Sequence, residues 1–245
     1  MSHTEQHIPF PRFIWRRRFL KRLAQIALAL LTKMEVEGAE NIPANGPLIV
    51  AANHFHFADP VVILATMPGL IEFIGDETTP NAPGFLSWIR KLWGYILIHR
   101  GASSHDGLRK AVQMLKGGGM LFIAPEAGSW APVLRPARPG VSFLAAQSGA
   151  VILPVGLMGL NDIFPSLWRG RRATIVVRYG RPFGPLKATG RGKERRAQLD
   201  AMGDEIMQQI AQLIPPEQRG YYAEDEAVRA AALAAAVYPW DEVAE

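Results

Sequence analysis

Cysteine is absent from the 245 residues. That excludes disulfide frameworks, thiolate metal sites and cysteine nucleophiles, and it fits a reducing compartment. Near the N-terminus, the uncharged run from Leu23 to Thr32 covers only ten residues, where a helix spanning a bilayer needs about 20. The sequence "TKMEVEG" that follows is no signal-peptide cleavage site, which would want small residues. No G-x-S-x-G elbow is present, and "AGSW" and "QSGA" hold serines without its glycine pattern. No internal repeat or low-complexity linker divides the chain. With about half its residues apolar, it can bury one substantial core.

Charge is present but uneven. The net charge is +5, yet Tyr221 to Glu245 holds six acidic residues against Arg229 alone, a charge of −5 that leaves +10 on residues 1–220. A body this basic expects an anionic partner. Arg12, Arg16, Arg17, Arg18, Lys21 and Arg22 alternate with Phe13, Trp15 and Phe19 before the sequence turns apolar. This pattern predicts an interfacial helix over about 13–32, with cations on anionic headgroups and the Leu/Ile/Ala face in the acyl region. An ordinary surface helix packed on the domain is the alternative. The cations adjoin an apolar helix instead of tracking an aromatic-studded groove, so no nucleic-acid partner is expected.

Further on, strands alternate with helices. "LIVAAN", "MLFIAPE" and "VILPVGLMG" are continuously apolar strand candidates. "HDGLRKAVQMLKGG" reads as a helix capped by Ser103 or Ser104, and "FLSWIRKLWG" also reads as helical. "KERRAQLDAMGDEIMQQIAQLI" places Leu199, Met202, Ile206, Ile210 and Leu213 on one stripe. Together these predict an α/β fold with a mixed, largely parallel sheet covered by helices on both faces.

The chemistry centres on "NHFHFADP", residues 53–60, immediately after an apolar strand. In α/β folds, ligands bind beyond the carboxyl ends of strands. A carboxylate on one nitrogen of a histidine ring fixes the tautomer and leaves the other nitrogen free to accept a proton. Four intervening residues can form a turn that returns Asp59 to His54. Asp59 before Pro60 also suits a helix start, and capping is compatible with catalysis. On this reading His56 either supports the pair from behind or sits at the surface. No further His, Asp or Glu cluster has ligand spacing, so no metal is expected.

Four blocks follow in order: "NHFHFADP" at 53–60, "GYILIHRG" at 94–101, "LFIAPEAGSW" at 121–130 and "VILPVGLMG" at 151–159. Over about residues 35–180 the chain resembles the glycerophosphate and lysophospholipid acyltransferases, the PlsC-type enzymes. That family shows Asn-His, four residues, then Asp; a strand ending in Arg-Gly; a Phe-Pro-Glu-Gly-Thr-Arg-Ser-like block; and an apolar strand with a central proline. The third block departs from the pattern. Pro125 and Glu126 are kept, but Ala127 and Gly128 replace Gly-Thr, and Ser129 stands where a basic residue is usual. In the family that block helps to hold the acceptor's glycerol phosphate. Arg135 and Arg138 are the nearest cations that can compensate.

The resemblance implies a glycerol-3-phosphate acyltransferase-like fold with an N-terminal amphipathic membrane-docking helix. It divides the chain into a membrane-associating segment (1–33), an acyltransferase domain (34–220) and an acidic helical tail (221–245). It makes His54 the general base and Asp59 its orienting partner. Arg100, Gly101, Glu126 and Asn53 become substrate-binding residues, with Arg100 on the acceptor phosphate. A solvated loop arginine and a turn-capping carboxylate are the alternatives for Arg100 and Glu126. Phe85, Trp88 and Trp93 can line an acyl slot, or belong to the core. The implied reaction carries an acyl group from acyl-CoA or acyl carrier protein to a lysophospholipid hydroxyl. It needs no cofactor and forms no covalent acyl-enzyme. The expected acceptor is 1-acylglycerol-3-phosphate, the expected product phosphatidate, and the expected location the cytoplasmic face of the cell membrane, bound peripherally to an anionic surface. The alternatives are another lipid acceptor, or a non-catalytic membrane-binding scaffold.

Overall fold

The computed structural model describes residues 9–76, 91–98 and 104–237. Helix α1 (Ile14–Leu31) runs directly into strand β1 (Thr32–Glu37). Strand β2 (Leu48–Ala52) and helix α2 (Asp59–Thr66) flank the histidine-bearing turn. Next come β3 (Glu72–Asp76), β4 (Ile96–Ile98), α3 (Ser104–Lys116) and β5 (Met120–Ile123). They are followed by α4 (Pro139–Ser148), β6 (Val151–Met158), α5 (Ile163–Trp168) and β7 (Ala173–Tyr179). Helices α6 (Gly192–Ala211) and α7 (Glu226–Ala235) complete the described chain.

The seven strands form one sheet in the order β1-β7-β6-β2-β5-β3-β4. Among the described strands only β6 and β7 pair antiparallel. The sheet is therefore mixed and largely parallel, as the alternation of elements predicts. Every residue of β2 is buried. Leu48, Val50 and Ala52 face a cluster with Leu28 of α1 and Val62 and Ile63 of α2. Ile49 and Ala51 face the opposite cluster, with Leu115 of α3, Leu144 of α4 and Ile206 and Ile210 of α6. Successive strand side chains point to opposite faces, so a strand apolar on both faces needs helices on both, and it has them. Along α6, Met202, Ile206 and Ile210 are buried, while Leu199 and Leu213 are half-buried.

α1 is held to the body by charge as well as by apolar contact. Glu72, at the start of β3, is fully buried, and so is Arg17. Arg17 bonds both carboxylate oxygens of Glu72, Nη2 to Oε2 at 2.8 Å, and its Nε donates to the Trp93 carbonyl at 2.9 Å. Arg12 adds Nη2 to Oε2 at 2.9 Å. Lys21 donates to the carbonyls of Met67, Pro68 and Gly69 at the end of α2, where a cation also suits the helix dipole. These contacts correct the expectation that the N-terminal cations all meet headgroups. Arg12, Arg17 and Lys21 are committed to the protein, leaving Arg16, Arg18 and Arg22 on the exposed side. The two arginines are drawn in by a single carboxylate, Glu72, 55 residues away from Arg17, and Lys21 by the carbonyls after α2, separations that no local pattern reveals.

Trp93 is a core residue, with its Nε1 bonded to the Ile71 carbonyl at 3.1 Å. Phe85, Trp88 and Ser103 lie outside the described residues, as does the Ser104 side chain; of the "FLSWIRKLWG" helix, residues 91–93 are described and helical. Among the described residues no helix is long and apolar enough to cross a membrane.

Removing Glu72 leaves Arg17 as a buried cation without its counter-charge. Glu72→Ala is expected to cost about 3–5 kcal/mol, read by urea denaturation. Limited trypsin digestion is expected to cut first within α1, at Arg16 to Arg22; digestion as slow as in the wild type means that the ion pair does not hold the helix.

Candidate active site

β2 and β5 run parallel, with Ala51 opposite Ile123. Their carboxyl ends therefore emerge side by side, β2 into Asn53-His54 and β5 into Ala124-Pro125-Glu126. On the other flank β6 is also parallel to β2. The catalytic candidates thus stand where ligand-binding loops collect in open α/β sheets.

The His54–Asp59 pairing expected from the turn is present. His54 Nδ1 lies 2.8 Å from Asp59 Oδ2. The same oxygen accepts the His56 amide at 3.0 Å, which closes the turn. Asp59 is the first residue of α2, followed by Pro60, and the residue before it, Ala58, makes no side-chain cap. The carboxylate therefore points back into the turn, near the positive end of the helix dipole, and serves the histidine. Asp59 is buried and the His54 side chain is 18% exposed. With Nδ1–H donating to the carboxylate, Nε2 carries the lone pair. His56 follows a different course. Its Nδ1 accepts the Ala58 amide at 3.3 Å. Burial lowers its pKa, against Asp59, while His54 lowers it further.

Asn53 was expected to contact substrate. It is instead fully buried, and both ends of its amide are spent on Leu157 of β6: Oδ1 accepts the Leu157 N–H at 2.7 Å and Nδ2 donates to its carbonyl at 2.8 Å. It extends the β2–β6 pairing by a side chain and fixes the backbone from which His54 projects. Glu126 is also buried. Its Oε1 accepts the His54 amide at 3.2 Å, and its Oε2 accepts Arg135 Nε at 3.1 Å and pairs with Nη2 at 3.0 Å. Burial pushes the Glu126 carboxyl up to about 7, with Arg135 and the His54 amide pulling the other way. In this arrangement Glu126 braces the histidine turn. Arg100 and Gly101 lie outside the described residues.

Arg135 is the residue whose role sequence reasoning missed. It is buried, its Nη2 also donates to the Gly128 carbonyl, and its guanidinium lies 3.6 Å over the Trp130 ring. Nη1 is buried without a hydrogen-bond partner among the described residues. A chain of contacts thus runs from Trp130 through Arg135 and Glu126 to the backbone of His54. Trp130 Nε1 in turn donates to the Ala235 carbonyl at 2.9 Å, tying the acidic tail's helix α7 to the same loop. The sequence marked Arg135 as a cation that can compensate at the acceptor phosphate; the nine-residue spacing from Glu126 carries no signal of their pairing. Phe57 and Phe164 form an aromatic pair beside the turn, with centroids 6.1 Å apart. Among the described residues no group of three or more His, Asp or Glu stands together to hold a metal ion.

Ala127 has φ 61°, a left-handed conformation that costs a non-glycine residue roughly 1–2 kcal/mol. The family pattern has glycine here. Ala127→Gly is therefore expected to raise stability by about 1 kcal/mol, measured by chemical denaturation; an unchanged or lower midpoint contradicts a strained loop.

Comparison with known proteins gives a consistent result. Residues 33–158 match the family model described as Acyltransferase. The chain is 28% identical over 195 residues to the chloroplastic 1-acyl-sn-glycerol-3-phosphate acyltransferase LPAT1 of Arabidopsis thaliana, covering 76% of this chain and 54% of that protein. It is 27% identical over 135 residues to the 1-acyl-sn-glycerol-3-phosphate acyltransferase of Borreliella burgdorferi, covering 54% of each. The chain spans about half the length of these curated relatives. The crystal structure of the 1-acyl-sn-glycerophosphate acyltransferase PlsC from Thermotoga maritima superposes with a TM-score of 0.55 at 23% identity, over 81% of this chain and 83% of that one, which is a likeness of fold. The family model covers more than half of the sequence, and the chain belongs to the acyltransferase family.

Proposed function

We propose that this protein is a membrane-associated O-acyltransferase that moves a fatty acyl group from a thioester to a lysophospholipid hydroxyl. The preferred acceptor is 1-acylglycerol-3-phosphate, and the product is phosphatidate. The observation that carries the reading is the His54–Asp59 pair, a 2.8 Å contact with the carboxylate buried and the His54 side chain partly exposed.

On this reading His54 Nε2 takes the proton of the acceptor hydroxyl as its oxygen attacks the thioester carbonyl carbon. Asp59 stabilises the imidazolium formed, through Nδ1. The tetrahedral intermediate collapses, the C–S bond breaks, and the leaving thiolate takes the proton back from Nε2. Acyl-CoA or acyl carrier protein supplies the thioester, and no cofactor or covalent acyl-enzyme is needed. Asn53 and Glu126 hold the His54 backbone, and Arg100 serves the acceptor phosphate.

The membrane part of the proposal is supported by the exposed side of α1. Trp15, Phe19, Leu23, Ile26 and Leu30 are all exposed. At about 100° per residue they fall within an arc of about 80°, opposite the side that carries Arg17 and Leu28 to the body. Arg18 lies over the Trp15 ring at 5.7 Å, and Arg16 and Arg22 flank the stripe. This is the composition of a helix lying in a bilayer interface, and it supports a peripheral mode of binding.

A second reading of the acceptor has its own support. Ser129 offers no cation, and Arg135 is buried and committed to Glu126 and the Gly128 carbonyl. Of the two arginines that can compensate, this leaves Arg138, which is exposed, and with fewer cations at that loop an acceptor with a different headgroup is accommodated on the same chemistry.

The test is to incubate the protein, and His54→Ala beside it, with acyl-CoA and acyl carrier protein thioesters against a panel of lysolipids, reading products by mass. Phosphatidate is expected, and His54→Ala is expected to lower turnover about 10²–10⁴-fold with unchanged circular dichroism. Turnover surviving in His54→Ala refutes the base assignment. Product from another acceptor alone selects the second reading, and no product with any pair favours a non-catalytic scaffold.

A further inference from the structure

α5 and the segment after it were not singled out by any periodicity, and the catalytic reading does not use them. Trp168 is 86% exposed and Phe164 45%. Single exposed apolar residues are ordinary on a protein surface, but these two have company. Arg169, Arg171 and Arg172 follow directly, all exposed. An aromatic pair next to three arginines is complementary to an anionic, amphipathic surface.

Their position links the two features already described. On one side, the Phe164 ring lies 6.1 Å from Phe57 and 6.2 Å from His56, both within the turn between His54 and Asp59. On the other, Arg172 Nε donates to the Thr32 carbonyl at 2.9 Å and Nη2 to the Ala29 carbonyl at 2.6 Å. These carbonyls lie at the end of α1, where Leu30 and Leu31 are exposed. Exposed apolar side chains therefore continue from α1 past Arg172 to Trp168, Phe164 and the catalytic turn. Arg172 is the joint between them, and Arg169 and Arg171 form no ion pair among the described residues.

We propose that Phe164 and Trp168, with Arg169 and Arg171, form a second lipid contact that seats the mouth of the His54 site on an anionic bilayer surface. This rests on the membrane reading of α1. One helix lying in the interface leaves the body free to rotate about the helix axis. A second contact beside His54 removes that freedom and keeps the site open toward the leaflet that holds the acceptor. Trp and Arg suit the task, because an indole settles at headgroup depth and each arginine is drawn to an anionic surface.

The experiment is co-sedimentation of the full chain with phosphatidylcholine vesicles, with and without phosphatidylglycerol. Wild type is compared with Phe164→Ala/Trp168→Ala, with Arg169→Ala/Arg171→Ala, and with Trp15→Ala/Phe19→Ala on α1. Circular dichroism and gel filtration without lipid accompany each. The aromatic double variant is expected to lower the vesicle partition coefficient about tenfold. The arginine pair is expected to lower it a further several-fold, and only on phosphatidylglycerol vesicles. Trp168→Phe, which keeps an apolar ring, is expected to recover most of the loss. If wild type and the α5 variants partition alike while the α1 variant is released, the second contact is refuted and the α1 reading stands. If wild type does not bind vesicles, the membrane reading itself fails and takes this proposal with it. If wild type elutes as a dimer without lipid and the α5 variants as monomers, the patch belongs to a second copy of the chain and the proposal is wrong.

Discussion

The distance between the ends of two parallel strands governs the rest of the site. β2 and β5 stop at the same level, and the 3.2 Å bond from the His54 amide to Glu126 closes the gap between their loops. A hydrogen bond to a buried carboxylate is worth having only if the carboxylate is itself compensated. Arg135 supplies the charge, and Trp130 and the Gly128 carbonyl hold Arg135. On the opposite flank Asn53 does for β6 what Glu126 does for β5. The backbone that carries His54 is thus fixed from both sides of its strand. The side chain can then be oriented by Asp59 alone. Most of the polar groups near the site are buried and already paired, while the His54 side chain keeps part of its surface exposed.

The same logic explains what the sequence made legible. The sheet class followed from apolar runs separated by helical stripes, because both signals are local. The His54–Asp59 contact was legible for the same reason, since five residues and a helix start constrain where the carboxylate can go. Glu126 was visible as a motif residue, but its partner was not. An Arg–Glu pair depends on how the loop after β5 folds back, and nothing in "LRPARPG" encodes that return. The resemblance made Asn53 a substrate contact. Side chains alternate along an extended segment, so the neighbour of an outward histidine points inward, to β6.

The N-terminal cations show the limit of reading charge by composition. Six basic residues in eleven positions suggested one anionic surface. The helix divides them. Arg17 and Lys21 face the body at a spacing of four residues, one turn apart, while Arg18 and Arg22, one position on, face away. Periodicity alone indicates that two groups exist. Which group is buried depends on Glu72 and on the open carbonyls at the end of α2. Those are distant in sequence, and only the tertiary arrangement decides between them.

The departure of the third block from the family pattern also has a physical reading. A left-handed residue is needed at Ala127, and alanine tolerates it at a cost that glycine does not incur. A cation is missing at Ser129, and one residue later Trp130 covers the guanidinium of Arg135. Ser129 brings no charge to the loop, and the Arg135 that follows is paired with Glu126 inside the brace of His54. Trp130 ties the same loop to α7. On the acyltransferase reading proposed above, a loop tied down in this way serves as a support for His54, and recognition of the acceptor headgroup falls to cations outside the brace.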